Sequence, residues 1–151
     1  MVVAISSDHA GYDLRQQVVM HLKEKGFTVI EAGAESAEKP ESYVAAGKKA
    51  ASYVLSKEAD RGIVICGTGL GISMVANKHK GIRCALCTDE FMARMSREHN
   101  DANMLGLGAR VVGRGTALSI VDAYFATEFE AGGRHQVRVE EIKSHEDSVF
   151  S

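Results

Sequence analysis

Residues 62–73 read Gly62-Ile63-Val64-Ile65-Cys66-Gly67-Thr68-Gly69-Leu70-Gly71-Ile72-Ser73, an apolar run that ends in a cysteine and a glycine-rich turn. A short run of β-branched residues between turn residues is typical of a buried strand in a parallel sheet. The amides of a glycine-rich turn have little side-chain cover, so they are available to donate hydrogen bonds to an anion. The stretch therefore predicts a parallel strand with a thiol at its carboxyl end and a candidate reaction site beside it.

The rest of the chain alternates short apolar runs with helical patterns. Further strands are predicted over residues 2–6, 27–32, 82–88 and 104–107. Helices are predicted over residues 12–25, along an apolar stripe from Tyr43 to Val54, after Asp89 with Met92 and Met95, and around a core face of Leu118, Val121 and Phe125, before a polar tail with Arg134, His135 and Arg138. Strands that alternate with helices of this length indicate βαβ units. We therefore expect an α/β fold with a five-stranded parallel sheet that is covered by helices on both faces.

Length, charge and cysteine content narrow the class of protein. A chain of 151 residues, of which 45% are hydrophobic, fits a single domain over residues 1–151. The formal net charge of -2 offers no basic excess for a nucleic acid partner. The first residues lack the features of a signal peptide or a membrane span, so no membrane partner is expected. Three cysteines in a chain of this size are typical of a reducing compartment, which predicts a cytoplasmic location.

Residues able to bind an anion follow several of the predicted strands. Ligands of such sheets bind outside the carboxyl ends of the strands, so the loops of interest are residues 8–11, residues 66–71, the segment from Asp89 and the segment after Leu107. Guanidinium groups bind phosphate through paired donors, and imidazoles add further ones. The side chains suited to a phosphate clamp are His9, His99, Arg110, Arg134 and Arg138. The last two are four residues apart and would share one face if the tail is helical.

The glycine pattern does not match the common nucleotide-binding motifs. In a dinucleotide fingerprint the third glycine would fall at Ile72, and the motif would follow the first strand instead of the third. A nucleotide P-loop needs a Gly-Lys-Ser/Thr sequence, which does not follow Gly67. Glycines after a strand also occur simply as turn formers, and the sequence alone leaves that interpretation open.

Cys66 has three interpretations. It is a buried structural thiol, the commonest role of a free cysteine, or a phosphatase nucleophile, or a general base. The phosphatase hypothesis needs an arginine six residues further on, where Ile72 stands. The general-base hypothesis needs a stabilised thiolate, which nearby exposed amides favour. Spacing alone does not rank the structural and general-base interpretations. Cys84 and Cys87 have no second ligand pair nearby, so we expect them to pack in the core and to bind no metal.

Six segments together resemble one family, the type B ribose-5-phosphate isomerases, which also includes the subunits of galactose-6-phosphate isomerase. The segments are Asp8-His9-Ala10-Gly11, residues 62–73, Ala76-Asn77-Lys78, Ser96-Arg97-Glu98-His99-Asn100-Asp101-Ala102-Asn103, Arg110-Val111-Val112-Gly113 and Gly132-Gly133-Arg134-His135. The resemblance extends from the first strand to Arg138. It favours the general-base hypothesis for Cys66.

The resemblance implies an aldose–ketose isomerase with a Rossmann-like three-layer sandwich, acting on a sugar phosphate without a metal or an organic cofactor. It implies a homodimer or homotetramer with active sites at the subunit interface. Cys66 would move a proton between C1 and C2, His99 would open the sugar ring, and Thr68 would position the base or the substrate. The substrate-binding residues implied are Asp8, His9, Gly67, Gly69, Leu70, Gly71, Asn100, Arg110, Arg134 and Arg138.

Two departures from the family pattern bear on the substrate. Ser42-Tyr43-Val44 stands where the family commonly has Asp-Tyr-Pro, and residues 130–135 contain one additional residue near Ala131. Ribose 5-phosphate and ribulose 5-phosphate are the expected substrate pair. A tetrose phosphate, or a hexose phosphate such as allose 6-phosphate or galactose 6-phosphate, is compatible with both changes. The rival classes are a non-catalytic phosphosugar-binding module and a flavodoxin-like cofactor carrier.

Overall fold

Strands and helices alternate along the chain. The computed structural model describes residues 1–150. Its elements are β1 (Val2–Ser7), α1 (Tyr12–Glu24), β2 (Thr28–Gly33), α2 (Tyr43–Leu55), β3 (Arg61–Cys66), α3 (Leu70–Ala76), β4 (Cys84–Leu86), α4 (Glu90–Glu98), β5 (Met104–Gly108), α5 (Arg114–Ala126) and α6 (Arg134–Val149). Local chemistry sets several of these boundaries. The Asp89 carboxylate accepts a hydrogen bond from the Met92 amide at 2.8 Å and so caps α4, as predicted.

The five strands form one parallel sheet in the order β2-β1-β3-β5-β4, which confirms the predicted sheet. From β1 the chain crosses outward to β2 at one edge, and it then continues in β3, β4 and β5 on the other side of β1, so the order switches between β1 and β3. The register pairs Ser7 with Ile65 and Cys66 with Gly108, so the carboxyl ends of β1, β3 and β5 are level. Doubly wound sheets bind ligands in the crevice at this switch point.

Helices cover both faces of the sheet. On one face Ile63 and Ile65 pack with α1, α4 and α5 in a core that includes Leu14, Val18, Ala93, Ile120 and Tyr124. On the other face Val64 and Cys66 pack against α2 and α3 through Ala46, Ala50, Ile72 and Ala76. This alternation follows from the two-residue period of a strand. The expected three-layer arrangement is confirmed, and the thiol of Cys66 points to the α2–α3 side.

Three details differ from the sequence-based expectation. Strand β4 covers only Cys84–Leu86 and not residues 82–88, and it pairs with β5 alone. The polar tail is a 16-residue helix, α6, whose one buried residue is Val139, so an apolar period does not mark it. Met92 is 42% exposed, and the smaller Ala93 takes the core position on α4. Within residues 1–150, each helix is too short or too polar to span a bilayer.

Candidate active site

The loop after β1 lies against the end of β3. The Asp8 carboxylate is 7% exposed and accepts a hydrogen bond from the Gly11 amide at 3.0 Å. The Asp8 amide donates to the carbonyl of Ile65 at 3.3 Å. A side chain at Gly11 would place its Cβ 2.6 Å from that same carbonyl oxygen, so only glycine allows this approach. Asp8 is therefore fixed beside the crevice between β1 and β3.

Cys66 ends β3 at the mouth of this crevice. Its residue exposure is 5%, and its Sγ accepts a hydrogen bond from the Gly69 amide at 3.2 Å. The Gly69 N–H thus points at the sulfur at the end of the strand. The turn that provides this donor requires glycine, because Gly69 has a φ of 79° and its Cβ would lie 2.5 Å from Leu86 Cδ1. The sulfur is thus buried at the edge of the sheet, with its donor in the adjoining turn.

The glycine-rich turn offers fewer free amides than the sequence suggested. The amide of Gly69 binds Cys66 Sγ, and that of Leu70 donates to Thr68 Oγ1 at 3.2 Å. Within residues 1–150, the amides of Gly67, Thr68 and Gly71 have no acceptor. The Thr68 hydroxyl accepts from Leu70, and its own proton remains available to a ligand. These donors can stabilise a negatively charged oxygen above the turn.

Two of the predicted phosphate ligands flank the same turn. The Arg110 amide donates to the Gly67 carbonyl at 2.8 Å, and a Cβ at Gly67 would lie 3.3 Å from Arg110 Nη1. The exposed guanidinium therefore lies over the glycine and faces solvent. His9 Nδ1 accepts a hydrogen bond from the Glu41 amide at 3.2 Å, which leaves Nε2 to carry the ring proton as a donor. Both side chains are placed to bind an anion near Gly67.

Tyr43 is a site residue that the sequence interpretation missed. It was assigned to the apolar stripe of a helix, yet its side chain is 44% exposed. A Cβ on Gly71 would lie 2.6 Å from Tyr43 Cε1, so the ring packs directly on the glycine-rich segment. One signal was present: a residue in the first turn of a helix that follows a parallel strand lies at the ligand-binding edge of the sheet.

His99 and the tail arginines form a second group. The rings of His99 and His135 stack with centroids 3.7 Å apart and an interplanar angle of 8°. The Glu130 amide donates to the Glu98 carbonyl at 3.0 Å, which joins the turn before α6 to the end of α4. Arg134 and Arg138 lie in the first two turns of α6, and both are exposed. Because this segment is helical and the two arginines are four residues apart, they share one face of α6. The Arg138 guanidinium also forms a salt bridge with Glu141.

The two groups lie at opposite edges of the sheet within one chain. Asp101, just beyond the His99 turn, receives a 2.8 Å hydrogen bond to its carbonyl from Arg83, which directly precedes β4. The Arg83 amide in turn donates to Asn103 Oδ1 at 2.8 Å, directly before β5. The His99 turn is therefore at the amino edge, whereas Cys66 pairs with Gly108 at the carboxyl edge. A strand of this length separates the two edges by roughly 13 Å.

The structure divides the expected site residues into two groups within one chain. Asp8, the Cys66 turn and Arg110 lie at the carboxyl edge of the sheet, and His9 follows Asp8 in the loop after β1. His99, Asn100, Arg134 and Arg138 lie apart from them in the same chain. The sequence interpretation placed His99 correctly at the end of a helix, but the return direction of that helix carries it away from the thiol.

The sequence and the fold both match known proteins. A sequence profile of the family described as Ribose/Galactose Isomerase matches residues 3–142. The chain belongs to this family. It is 46% identical over 144 residues to ribose-5-phosphate isomerase B of Escherichia coli, and the match covers 95% of each chain. It is 44% identical over 140 residues to a galactose-6-phosphate isomerase subunit of Clostridium acetobutylicum, covering 93% of this chain and 96% of that subunit.

The solved structure of Clostridium thermocellum ribose-5-phosphate isomerase B has the same fold. The two chains superpose with a TM-score of 0.94 and 53% sequence identity, over 98% of this chain and 99% of that one. The expected Rossmann-like sandwich is therefore confirmed. Membership of the Ribose/Galactose Isomerase family supports an aldose–ketose isomerase that acts on a sugar phosphate.

Both departures from the family pattern have local structural explanations. Ser42 Oγ accepts hydrogen bonds from the amides of Val44 and Ala45 at 3.1 and 3.3 Å, so it caps α2. Aspartate and serine are equally good N-caps, so this change preserves the capping function. The additional residue near Ala131 is accommodated in a turn where Gly132 has a φ of 84°. The stack of His99 on His135 persists beside it.

The other two cysteines are poorly suited to reactivity. Burial raises the pKa of Cys84 to about 12, with a smaller opposing effect from a hydrogen bond with Ser73. Burial likewise raises the pKa of Cys87 to about 11. Both side chains remain protonated thiols at neutral pH, in agreement with the predicted packing role. Within residues 1–150, they belong to no cluster able to hold a metal ion.

Proposed function

We propose that the chain, an aldose–ketose isomerase by family, interconverts D-ribose 5-phosphate and D-ribulose 5-phosphate through an enediolate intermediate. The observation that carries this proposal is the position of the Cys66 sulfur at the mouth of the β1–β3 crevice, where it accepts a hydrogen bond from the Gly69 amide at 3.2 Å. Unpaired amides and the Arg110 guanidinium lie in the same turn region. A base beside preformed donors is the arrangement that proton abstraction next to a carbonyl requires.

In the proposed reaction the Cys66 thiolate removes the proton from C2 of the open-chain aldose. The electron pair left behind becomes a C1–C2 double bond, and the negative charge moves to oxygen. The amides of Gly67, Thr68 and Gly71 donate to that oxygen, with the Thr68 hydroxyl as a further donor. The proton on the C2 oxygen then moves to the C1 oxygen, so that the negative charge lies on the C2 oxygen. The thiol returns its proton to C1, and the C2 carbonyl of the ketose forms. Asp8 would bind sugar hydroxyls, and His9 and Arg110 would bind the phosphate.

A second copy of the chain would supply the remaining groups. The proposed active site combines the Cys66 turn of one subunit with His99, Asn100, Arg134 and Arg138 of the other. His99 would open the sugar ring by proton transfer, and the two arginines would complete the phosphate clamp. The reason for this assignment is the placement of the two groups at opposite edges of the sheet in one chain.

The surface of α6 also supports a dimer. Val139 is its one buried residue, whereas Val137 is 56% exposed and Ile142 is 44% exposed. A groove of about 550 Å³ runs along this face from Gly132 to Ser144. Exposed apolar surface of this kind favours association. A second copy is the proposed occupant, since it would bring Arg134 and Arg138 to a Cys66 turn.

The family relationship leaves two sugar classes to be distinguished. One relative is named as a ribose-5-phosphate isomerase and another as a subunit of galactose-6-phosphate isomerase. Ribose-5-phosphate isomerases match this chain at 35–53% identity and the galactose-6-phosphate isomerase subunit at 44%, and the 53% match to the Clostridium thermocellum enzyme favours the pentose phosphate. A thiolate base must stay reduced, so we propose that the enzyme works in the cytoplasm.

The test combines a substrate panel with proton exchange. The purified protein is incubated in deuterated water with ribose 5-phosphate, erythrose 4-phosphate, allose 6-phosphate and galactose 6-phosphate, and deuterium at C1 and C2 is followed by NMR. We expect incorporation and ketose formation with ribose 5-phosphate. An absence of exchange with every sugar, despite binding, would establish a phosphosugar-binding module instead.

Two cysteine variants make the test specific to the base. Cys66→Ala should abolish exchange and turnover while phosphosugar binding, measured by calorimetry, stays within about threefold of the wild type, because the sulfur acts in the proton transfer and not in ground-state binding. Cys87→Ala is the matched control, since it removes a buried thiol that lies outside the turn. Full activity of Cys66→Ala would remove the sulfur from the mechanism.

A further inference from the structure

We propose that Arg83 is a positioning residue for the ring-opening step, acting through the main chain of the turn that carries His99. This inference rests on the proposed function of His99. The role is distinct from substrate contact, because every hydrogen bond that the Arg83 side chain makes goes to the turn itself.

The Arg83 guanidinium holds the turn at two consecutive carbonyls. Its Nε donates to the carbonyl of Asn100 at 3.1 Å, and its Nη2 donates to the carbonyl of Asp101 at 2.8 Å. Nη2 also approaches the Asp101 carboxylate at 3.5 Å. A planar guanidinium with donors in a fixed fork matches two adjacent acceptors in a way that a flexible ammonium does not.

Arg83 is itself anchored to the sheet. Its amide donates to Asn103 Oδ1 at 2.8 Å, and its carbonyl accepts from the amides of Asn103 and Met104 at 3.1 and 3.2 Å. Met104 begins β5, the neighbour of β3 in the sheet. Arg83 therefore links the edge of the sheet to the residues that follow His99.

The turn needs such support. Asp101 has a φ of 47°, a conformation that residues other than glycine seldom adopt. The last carbonyls of α4 accept hydrogen bonds from backbone amides. The carbonyls of Asn100 and Asp101, beyond the end of the helix, accept theirs from Arg83. Arg97 holds the other side of Asp101 with a 2.9 Å bond to its carboxylate, but Arg97 is only 4% exposed and forms part of the packed interior. The Arg83 side chain is 16% exposed, so it can be replaced with less effect on the core.

The two substrates of the proposed reaction separate ring opening from proton transfer. Ribose 5-phosphate closes to a furanose through its C4 oxygen. Ribulose 5-phosphate stays open-chain, because its C5 oxygen carries the phosphate. A displaced His99 would slow turnover of the aldose, which must first be opened, and would leave proton transfer from the ketose nearly unchanged. A general loss of structure would lower both rates.

The experiment measures isomerisation of ribose 5-phosphate and exchange of the C1 proton of ribulose 5-phosphate with deuterated water. The proteins compared are the wild type, Arg83→Gln and the matched control Arg94→Gln, which changes an exposed arginine on α4. With Arg83→Gln, kcat/KM for ribose 5-phosphate should fall at least about tenfold, because small displacements of a catalytic group have large rate effects. The rate at which solvent deuterium enters C1 of ribulose 5-phosphate should fall no more than about threefold, because this exchange needs the base and no ring step, and Arg94→Gln should change neither rate.

A second readout depends on enzyme concentration. If enzymatic ring opening is lost, spontaneous opening limits the variant, so its rate with ribose 5-phosphate should level off as enzyme is added. The wild-type rate should stay proportional to enzyme. Circular dichroism checks folding, and if Arg83→Gln is unfolded, Arg83→Lys takes its place with the same expected split, because an ammonium lacks the fork.

The outcomes are separable. Equal losses of isomerisation and of ketose proton exchange, or no loss of either, with an active wild-type enzyme would overturn the role of Arg83 alone. If the wild-type protein turns over neither sugar, the proposed function fails and this inference fails with it.

Discussion

Mixed dimers made from two inactive variants test where the active site is assembled. Cys66→Ala removes the base from one chain, and His99→Gln removes the ring-opening group from the other. If each site joins Cys66 of one subunit to His99 of its partner, a heterodimer of these variants has one site with both groups intact and one site with neither. It should show about half of the wild-type activity with ribose 5-phosphate, since a dimer has two equivalent sites.

The positions of Cys66 and His99 in the sheet are the reason to expect assembly across the interface. Cys66 pairs with Gly108 at the carboxyl edge of the sheet, whereas the His99 turn is fixed at the amino edge beside Asn103. Direct hydrogen-bond contact with one sugar phosphate is limited to about 3 Å from each group. The separation of roughly 13 Å along β5 therefore prevents both side chains of one chain from serving the same carbon atoms.

The assay needs pure heterodimers. The two variants are co-expressed with different affinity tags, purified over both resins in turn, and assayed for ribulose 5-phosphate formation. The reciprocal control joins a wild-type chain to a chain that carries both substitutions. In that dimer each site lacks one group, so it should be inactive. The opposite result would be an inactive heterodimer of Cys66→Ala with His99→Gln and a half-active heterodimer of the wild type with the double variant. That result would refute assembly across the interface and place both groups in one chain.

Three further predictions concern side chains outside the catalytic turn. Ser42→Ala should lower the free energy of unfolding by about 1 kcal/mol, because it removes the cap of α2. Ser42→Asp should preserve both stability, measured by denaturant titration, and sugar preference, measured with the substrate panel. A changed sugar preference in Ser42→Asp would contradict the capping role. Cys84 and Cys87 should resist iodoacetamide at pH 8 in the folded protein and react after unfolding, because burial raises the pKa of both thiols and keeps them protonated. Rapid labelling of either cysteine in the native state, detected by mass spectrometry, would contradict this prediction. Burial tends to raise the pKa of Asp122, but hydrogen bonds from His21 and a neighbouring lysine outweigh it and lower that pKa. Asp122→Asn should therefore lower the free energy of unfolding by up to about 1 kcal/mol at pH 7, and this loss should disappear as the pH falls below the normal aspartate pKa. A loss that does not depend on pH would exclude the ion pair as its cause.

Local patterns in the sequence determined much of the architecture. The apolar runs specified five strands, because burial on both faces of a parallel sheet requires continuous hydrophobic segments. Asp89 marked the start of a helix through its capping chemistry, and Gly26, with a φ of 91°, marked the end of another. Residues 66–71 could be identified as a candidate site because a thiol and a glycine-rich turn are adjacent in the chain.

The sequence was less informative where packing overrides local composition. Helix α6 has one buried residue, Val139, so no periodic pattern distinguished it from a polar tail. Strand β4 is three residues long, because only Cys84–Leu86 pair with β5, and the ends of that pairing are not marked in the apolar run. Nor did composition indicate that two of the turn amides are already paired, with Cys66 Sγ and Thr68 Oγ1.

The tertiary structure alone decided which residues meet. Tyr43 and Gly71 are far apart in sequence and in contact in space, and Arg83 reaches the turn after His99 from the start of another strand. The direction of α4 places His99 at the opposite edge from Cys66, although both belong to the same family motif set. Sequence records neighbours along the chain, whereas distances between remote residues follow from strand order, register and helix direction, which are fixed only when the sheet and its two helical layers pack together.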